Sequence, residues 1–308
     1  MRSAIARGQT WWLRLFVLAV VVTAVVDVPF PWGLLLVAVP FLLFLVRPPQ
    51  PPSRDPVPVL APVRGRWVAL NSPGSAVPSH GVRSMGQTYA VDLLVPSGEE
   101  APARLGWSLR GRRPASYAAF GRPVHAMAGG TVLRVADGQR DHRARDTWPL
   151  LIAMLTVDGF WRELRGAAGL LGNHVVVEHD DGTCAAYAHL RRGSATVAAG
   201  ARVAAGQQLA EVGNTGNSSE PHLHVQLMDG PRPSGAAGIP MTWSGLELEP
   251  ALDPRWTGSG VKPGAQPEFP VNGQVFTVAE PRLAGPGTDG PAQAGPAQAG
   301  STQAGSAR

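Results

Sequence analysis

Two histidines near residue 220 are the clearest candidates for chemistry in this chain. His222 and His224 alternate with Leu223 and Val225 in a short apolar run, a pattern that predicts a β-strand. Side chains two residues apart on a strand point to the same face of a sheet. Two imidazoles on one face are typical of a metal site that has a catalytic partner, so further ligands are expected elsewhere in the chain.

The other residue types that such a site needs occur upstream. They are His80 in Ser-His-Gly, Asp92 in Tyr-Ala-Val-Asp-Leu and His189 in Tyr-Ala-His-Leu. Imidazole nitrogen and carboxylate oxygen are both suitable donors to zinc. The sequence contains no HExxH segment, so a thermolysin-type zinc helix has no support. The candidate residues therefore lie on short segments that only the fold can bring together.

Five segments around these residues resemble the lysostaphin-like zinc metalloendopeptidases, which cleave peptidoglycan and have the duplicated-hybrid-motif fold. In chain order the segments read GQTYAVDL, FGRPVHAMAGGTV, GNHVVVEHDDG, YAHL and VAAGQQLAEVGNTGNSSEPHLHVQL. The resemblance extends from about Ser79 to Leu227, which is roughly half of the chain. It implies a mainly β fold with an antiparallel β-sheet core, a Zn²⁺ cofactor and peptidoglycan peptides as the substrate.

Residue by residue, the resemblance also implies roles for the candidates. His80, Asp92 and His224 would be the metal ligands. His222 would act as the general base beside the metal, and His189 would complete the catalytic pair. Such histidines can accept and return protons near neutral pH.

The first ligand departs from the family pattern. The family has a histidine four residues before the aspartate, where this chain has Thr88, whereas His80 lies twelve residues before Asp92. A longer loop would still bring His80 to the metal, and its Pro-Ser-His-Gly setting is typical of a turn. If His80 is not a ligand, His125 in Pro-Val-His-Ala is the substitute.

Three functions fit these residues. The first is a zinc metalloendopeptidase that hydrolyses peptide bonds in the bacterial cell wall. The second is a catalytically inactive relative that binds and activates another cell-wall hydrolase; only the displaced His80 favours it, because such relatives usually lose metal ligands. The third is a membrane-tethered module that binds the wall through its sheet. The retained Asp92, His189, His222 and His224 favour the enzyme.

The composition narrows the class of partner. The 308 residues include 27 lysines and arginines and 22 acidic residues, and Lys262 is the only lysine. This excess would suit anionic wall polymers or lipid headgroups, although an arginine-rich proteome is the simpler explanation. No basic stripe with interleaved aromatic residues appears, so nucleic acid is not expected as a partner. Cys184 is the single cysteine, so no intrachain disulfide forms and we expect a structural role for it.

Residues 1–46 are predicted to be a membrane anchor that precedes the β domain. Apolar runs cover 11–28 and 32–46 with Pro29 and Pro31 between them, which favours a transmembrane hairpin of two short helices. A cleaved signal peptide is the alternative, but no convincing cleavage site follows the first run. Arginines flank both outer ends, so the positive-inside tendency conflicts with an external wall hydrolase. The expected location is the cell membrane, with the catalytic domain on the extracytoplasmic side.

The rest of the chain begins with a proline-rich linker over 47–64. A zinc peptidase-like β domain is predicted over 65–250, where short apolar runs alternate with Gly, Asn and Asp turns. Helical spacing interrupts this pattern and predicts a helical insertion at about 147–166. We expect the insertion to pack against the sheet, with a lid over the substrate groove as the alternative.

The last part of the chain has a different composition. An irregular extension is predicted over 251–283, with one more strand pair within 269–278. A low-complexity tail over 284–308 consists mostly of Gly, Pro, Ala, Gln and Ser. Because it has few large apolar side chains to offset the entropy of ordering, it is predicted to be disordered. As the inactive relative, the chain would be a regulatory partner of another wall hydrolase.

Overall fold

The computed structural model describes residues 1–50, 54–97, 105–256 and 260–279. In these residues the chain forms six α-helices and fourteen β-strands. The helices are α1 (Arg2–Arg7), α2 (Gln9–Val25), α3 (Trp32–Phe44), α4 (Trp148–Ala153), α5 (Gly159–Leu164) and α6 (Ala167–Leu171). The strands are β1 (Val57–Leu60), β2 (Gly65–Leu70), β3 (Val91–Leu94), β4 (Pro123–His125), β5 (Gly130–Ala136), β6 (His174–His179), β7 (Cys184–Ala188), β8 (Arg202–Val203), β9 (Gln208–Glu211), β10 (Leu223–Met228), β11 (Gly238–Ile239), β12 (Met241–Ser244), β13 (Leu246–Leu252) and β14 (Gln274–Val278).

One antiparallel sheet dominates the described residues. Its strands lie in the order β13-β14-β2-β3-β10-β7-β6-β5-β8, and β11 also pairs with β10. Every neighbouring pair in this sheet is antiparallel. Because β3 and β7 flank β10, three segments that are distant in sequence meet at the centre of the sheet. The antiparallel β-sheet core that the sequence indicates is therefore present.

The strand β10 sorts its side chains to two faces. Leu223, Val225 and Leu227 are buried in the hydrophobic core, together with Leu93 of β3 and Tyr187 of β7. Each such side chain stabilises the fold by about 1.5–3 kcal/mol through removal of apolar surface from water. Side chains alternate along a strand, so the residues between these three project to the opposite face.

The insertion between β5 and β6 is helical, as its spacing predicts. It consists of α4, a π-helical turn over Met154–Asp158, α5 and α6. At its end, Leu170 O accepts a hydrogen bond from Asn217 N at 2.8 Å, and Leu171 O accepts one from His189 N at 2.9 Å. The insertion therefore holds the backbone of two segments that carry candidate site residues.

The N-terminal helices correct the prediction of a transmembrane hairpin. α2 has 17 residues, and α3 has 13 with Pro40 inside it. At about 1.5 Å per residue, neither matches a hydrocarbon core about 30 Å thick. No helix in the described ranges is long and apolar enough to cross a membrane. Prolines between and within the two apolar runs limit the helix lengths.

The same helices are joined to each other and to the insertion. Gln9 Nε2 on α2 donates to Phe44 O at the end of α3, at 3.1 Å. Arg14 Nε donates to Leu164 O of α5, at 2.8 Å. These bonds connect the start of the chain to the helical insertion of the β domain.

The chain from Leu246 onward contributes two strands to the main sheet, and the second lies in the predicted C-terminal extension. Only β14 forms within 269–278, and it pairs with β13 and β2 instead of forming a strand pair of its own. The predicted disordered tail at 284–308 lies outside the described residues, as do residues 51–53 of the linker. The extension is therefore more regular than its sequence indicates.

Candidate active site

The three residues of the predicted metal site lie together. Asp92 on β3 is directly opposite His224 on β10 in the antiparallel register, and His80 reaches them from the loop before β3. His80 Nε2 is 3.2 Å from both carboxylate oxygens of Asp92, and His224 Nδ1 is 2.9 Å from Asp92 Oδ1. One potential ligand atom from each residue lies within 4.8 Å of the others. The fold thus assembles a group of the composition that the sequence indicates.

The loop before β3 explains how a histidine twelve residues before Asp92 reaches it. Ser79 N donates to Thr88 O at 3.0 Å, and Ser79 Oγ donates to Ala90 O at 2.6 Å. These bonds close the loop at its base, next to the start of β3. His80 therefore lies beside the carboxylate although Thr88 occupies the position four residues before it.

His125, the substitute ligand, does not join this group. It lies on β4, which pairs with β9 outside the main sheet. Its backbone N donates to Pro62 O at 2.8 Å. Among the residues that the structure describes, the group that could hold a metal ion consists of His80, Asp92 and His224.

Two amide side chains orient the candidate ligands. Asn71 Nδ2 donates to Asp92 Oδ2 at 2.7 Å, and His224 Nε2 donates to Gln226 Oε1 at 2.9 Å. Gln226 Nε2 in turn donates to Met85 O at 2.7 Å. The bond to Gln226 keeps the proton of His224 on Nε2 and leaves the Nδ1 lone pair for a metal ion.

Sequence reasoning missed both amides. Gln226 had a signal, because it lies two residues after His224 on a strand and must share its face. Asn71 had none, because its position depends on the pairing of β2 with β3, which brings Leu70 opposite Asp92. Asn71 has a φ of 44°, in the left-handed region that asparagine adopts more readily than most residues.

A second pair of imidazoles borders the ligand group. The ring centroids of His189 and His222 are 4.7 Å apart, and His222 Nε2 is 3.6 Å from Asp92 Oδ1. His189 Nδ1 donates to Thr215 O at 2.8 Å, and His222 Nδ1 donates to Glu220 O at 2.7 Å. Both rings therefore use Nδ1 as a donor to the backbone, which leaves Nε2 as the nitrogen that can exchange protons.

The loop that follows β9 supplies one of these carbonyls and is itself held by hydrogen bonds. Thr215 Oγ1 donates to Leu190 O at 3.0 Å and accepts from Asn173 N at 2.9 Å. Gly216 has a φ of 69°, and a Cβ there would clash with the backbone of the turn before β6. The glycine therefore allows the close approach that places the Thr215 carbonyl against His189.

Comparisons with known proteins identify the segment that contains this second pair. Residues 156–235 match the model of peptidase family M23. A stretch of 75 residues is 40% identical to the peptidoglycan DD-endopeptidase ShyA of Vibrio cholerae serotype O1, and covers 24% of this chain and 17% of that protein. The segment is therefore similar to the peptidases of family M23. The predicted resemblance to the lysostaphin-like zinc metallopeptidases is thereby confirmed.

Two solved peptidase structures are similar over about half of this chain. The catalytic domain of lysostaphin from Staphylococcus simulans is 22% identical, with 45% of this chain and 86% of that chain covered and a TM-score of 0.26. A zinc containing peptidase from Vibrio cholerae is 20% identical, with 46% and 37% covered and a TM-score of 0.26. These likenesses are low, so the family assignment rests on the sequence match.

The M23 segment contains only part of the site. His189, His222 and His224 lie within residues 156–235, whereas His80 and Asp92 precede them. The pairing of β3 with β10 adds the two upstream residues to the segment. The M23 peptidases are zinc-dependent, and this pairing completes a group with the donors that zinc prefers.

Burial and mutual charges set the protonation of the group. Burial raises the pKa of Asp92, but the charges and hydrogen bonds of His80, His222 and His224 outweigh it, and the pKa lies well below its ordinary value. Burial lowers the pKa of His80, and burial together with neighbouring imidazoles lowers the pKa of His189. Burial opposes protonation of His224, but the hydrogen bond and charge of Asp92 outweigh it and raise the pKa. A divalent cation would take the place of that proton.

Proposed function

We propose that this chain is a zinc metalloendopeptidase that hydrolyses peptide bonds in bacterial peptidoglycan. The observation that supports it most is the convergence of His80, Asp92 and His224 within 4.8 Å, bordered by His189 and His222. The 40% identity of one stretch to a protein named peptidoglycan DD-endopeptidase supports the substrate. The chain spans 17% of that protein, so its activity and substrate belong to the proposal.

The donor set fits zinc. Two imidazoles and one carboxylate match the three protein ligands of a catalytic zinc site, which keeps a further position open. Tetrahedral ligands at about 2.1 Å from zinc lie about 3.4 Å apart. The separations of 2.9–3.2 Å from Asp92 to His80 and His224 are close to that value. Zinc at this position would supply Lewis-acid activation of a water molecule and of the scissile carbonyl.

The two other histidines suit proton transfer in hydrolysis. Each has its Nδ1–H fixed on a backbone carbonyl, so His222 Nε2 can accept a proton from the attacking water and return one to the leaving amine. Nε2 of the second ring, His189, can donate a hydrogen bond to the carbonyl oxygen as negative charge develops there. The site is buried and its imidazoles are held in place, so little reorganisation is needed during the reaction.

A cavity of about 220 Å³ beside the catalytic pair suits one residue of the peptide substrate. Its wall includes Leu94, which lies two residues after Asp92 on β3 and shares its face. Pro221, directly before His222, forms another part of the wall. The cavity is therefore lined by residues that neighbour Asp92 and His222 in the chain.

The alternative function is a catalytically inactive relative that activates another wall hydrolase. In the sequence, only the distance of twelve residues between His80 and Asp92 favoured this alternative. The 3.2 Å distance from His80 Nε2 to the carboxylate of Asp92 supports the enzyme instead. A protein with neither zinc nor hydrolysis would return the assignment to this alternative.

We also propose that the protein acts at the cell membrane, with its catalytic domain on the extracytoplasmic side. Peptidoglycan lies outside the cytoplasm, and the N-terminal helices expose large apolar side chains, including Trp11, Leu18 and Leu42. Such side chains favour contact with lipid. Cell fractionation, followed by protease treatment of intact spheroplasts, tests this location: the domain should sediment with membranes and be cleaved from outside.

The enzyme proposal is tested by matched histidine variants of the full-length chain. Wild type and His125→Ala should each bind one zinc per chain and release new amino termini from purified peptidoglycan. His80→Ala should lose both properties, because His80 is a proposed zinc ligand. His125 lies on β4, outside the ligand group, so its variant is the matched control. A zinc-loaded wild type that releases no amino termini would refute the enzyme. Unchanged zinc in His80→Ala would refute that ligand alone.

A further inference from the structure

Glu220 links the catalytic pair to a distant part of the chain. Its carbonyl oxygen accepts hydrogen bonds from His222 Nδ1 at 2.7 Å and from Ser218 Oγ at 2.8 Å. Its carboxylate accepts one from Arg255 Nη1 at 3.2 Å. The two charged side chains are mostly buried, with 10% and 16% of their surface exposed. One residue therefore contacts the proposed base through its main chain and an arginine through its side chain.

Arg255 comes from outside the M23 segment. It lies in a 3₁₀ turn over Pro254–Trp256, after β13 in the C-terminal extension. The turn is fixed by Asp253, whose side chain is fully buried. Asp253 accepts hydrogen bonds from Ser97 N and Ser97 Oγ, each at 2.7 Å, and from Arg255 N at 2.9 Å. The arginine is thus anchored to the chain that leaves β3.

Both the side chain and the backbone of Glu220 are restrained. Pro221 follows it, and a residue before proline is confined to extended conformations. Arg255 holds the carboxylate and Pro221 restricts the backbone, so together they limit the directions open to the carbonyl that accepts the His222 hydrogen bond. Without the arginine, a buried carboxylate would lose its partner and would turn towards water, because an unpaired buried charge costs several kcal/mol.

We propose that Arg255 is a positioning residue for His222 and acts through Glu220. The role rests on the proposed peptidase function, since it concerns the ring assigned as the general base. Arg255 does not touch the candidate metal ligands, so it should affect the orientation of His222 and leave zinc binding unchanged. The C-terminal extension would thereby be part of the working enzyme, although the family match ends at residue 235.

Kinetics of the full-length protein test this role. Arg255→Met should lower kcat about ten-fold or more with zinc content close to wild type, as expected when a residue that orients a catalytic group is lost. The test rests on kcat, because Arg255 also lines the cavity proposed for a substrate residue and its loss would change KM as well. Arg255→Lys should recover much of the loss, because it restores a charge for Glu220. Arg255→Met combined with Glu220→Gln should be no worse than the poorer single variant, because the two residues act in series.

An ion pair between two strands of the main sheet provides the control. Arg66 Nη2 contacts Glu249 Oε2 at 2.7 Å and joins β2 to β13, with 56% of the arginine side chain exposed. Arg66→Met should therefore leave kcat unchanged. A folded Arg255→Met variant with wild-type kcat, or additive losses in the double variant, would overturn the positioning role.

Proton NMR of the imidazoles separates this inference from the proposed function. In wild type, the Nδ1–H groups of His189 and His222 should both give slowly exchanging resonances. Arg255→Met should shift or remove the His222 signal and leave the His189 signal, whose acceptor is Thr215 O. This readout needs no peptidase activity, so an inactive wild type would refute the enzyme alone. A His222 signal that is unchanged in Arg255→Met would refute the positioning role.

Discussion

The two faces of β3 and β10 are buried to similar extents but meet different requirements. Leu93 and Val225 on one face are fully buried in the hydrophobic core. Asp92, His224 and Gln226 on the other face are at most 7% exposed, and each has a polar partner. Core side chains need volume and apolar neighbours, whereas buried polar groups need hydrogen bonds or a ligand. One pair of strands thus supports both stability and the candidate site, and substitutions on the two faces should have separable effects.

The largest effect is expected on the polar face, at Asp92. Asp92→Ala removes the carboxylate that both His80 and His224 contact, so zinc affinity should fall more than about a hundred-fold, beyond the range for residues that only support ligands. Peptidoglycan hydrolysis should be abolished with it. Metal analysis after dialysis measures the loss, and Asp180→Ala on the exposed surface is the control. Full zinc occupancy in Asp92→Ala would contradict the assignment of the metal site to the polar face.

A substitution on the core face should affect folding instead of metal binding. Leu223→Ala leaves a cavity in the hydrophobic core, which should lower the free energy of unfolding by about 2–5 kcal/mol. The variant should still bind one zinc per chain under conditions where it is folded. Denaturant titration with parallel zinc analysis measures both. If the folded variant lost its zinc, the two faces would not be separable.

Gln226 tests whether the polar face needs its supporting hydrogen bonds. Gln226→Leu keeps a similar volume but removes the acceptor of the His224 Nε2 proton, so zinc affinity should fall by about 10–100-fold. Competition with a chelating dye measures the affinity. Gln226→Glu keeps an acceptor for His224 Nε2 but loses the donor to Met85 O, so it should recover only part of the affinity. Equal affinities in the leucine variant and wild type would show that His224 is oriented by other contacts.

Cys184 on β7 tests how tightly the polar face of the sheet is packed at a distance from the site. It is fully buried with Val176, Ala186 and Met228. Burial raises the pKa of its thiol to about 11, so the neutral thiol persists at pH 8, below that value. A thiol reagent should therefore fail to label the folded protein at pH 8 and label it fully in denaturant. Rapid labelling of the folded protein would show that this region is open.

Much of the site could be predicted because strand periodicity is local. The spacing of His222 and His224 places both on one face, and the same rule extends to Gln226. The meeting of Asp92 with His224 depends on which strands pair, and it was reached through the resemblance to a family. Spacing gave no support to His80, because a loop closed by Ser79 decides its position.

The features that the sequence did not predict depend on contacts between distant segments or on where a helix ends. Asn71 and Arg255 reach the site through strand pairing and through the turn at Asp253, and no local pattern marks either residue. The prediction of a transmembrane hairpin was wrong because it rested on the apolar content of the two runs, whereas the length of each helix decides whether it can span a membrane. The helix α2 ends at Val25 after 17 residues. Hydrophobic runs show that a segment avoids water, whereas prolines and packing set how long its helix can be.

The location of the metal tests the central claim most directly. Full-length protein crystallised with zinc can be measured by anomalous diffraction at the zinc absorption edge. One peak is expected, about 2.0–2.2 Å from His80 Nε2, from a carboxylate oxygen of Asp92 and from His224 Nδ1. His189 and His222 should lie close by without contacting the ion. A peak elsewhere, or none in protein that has been loaded with zinc, would contradict the account.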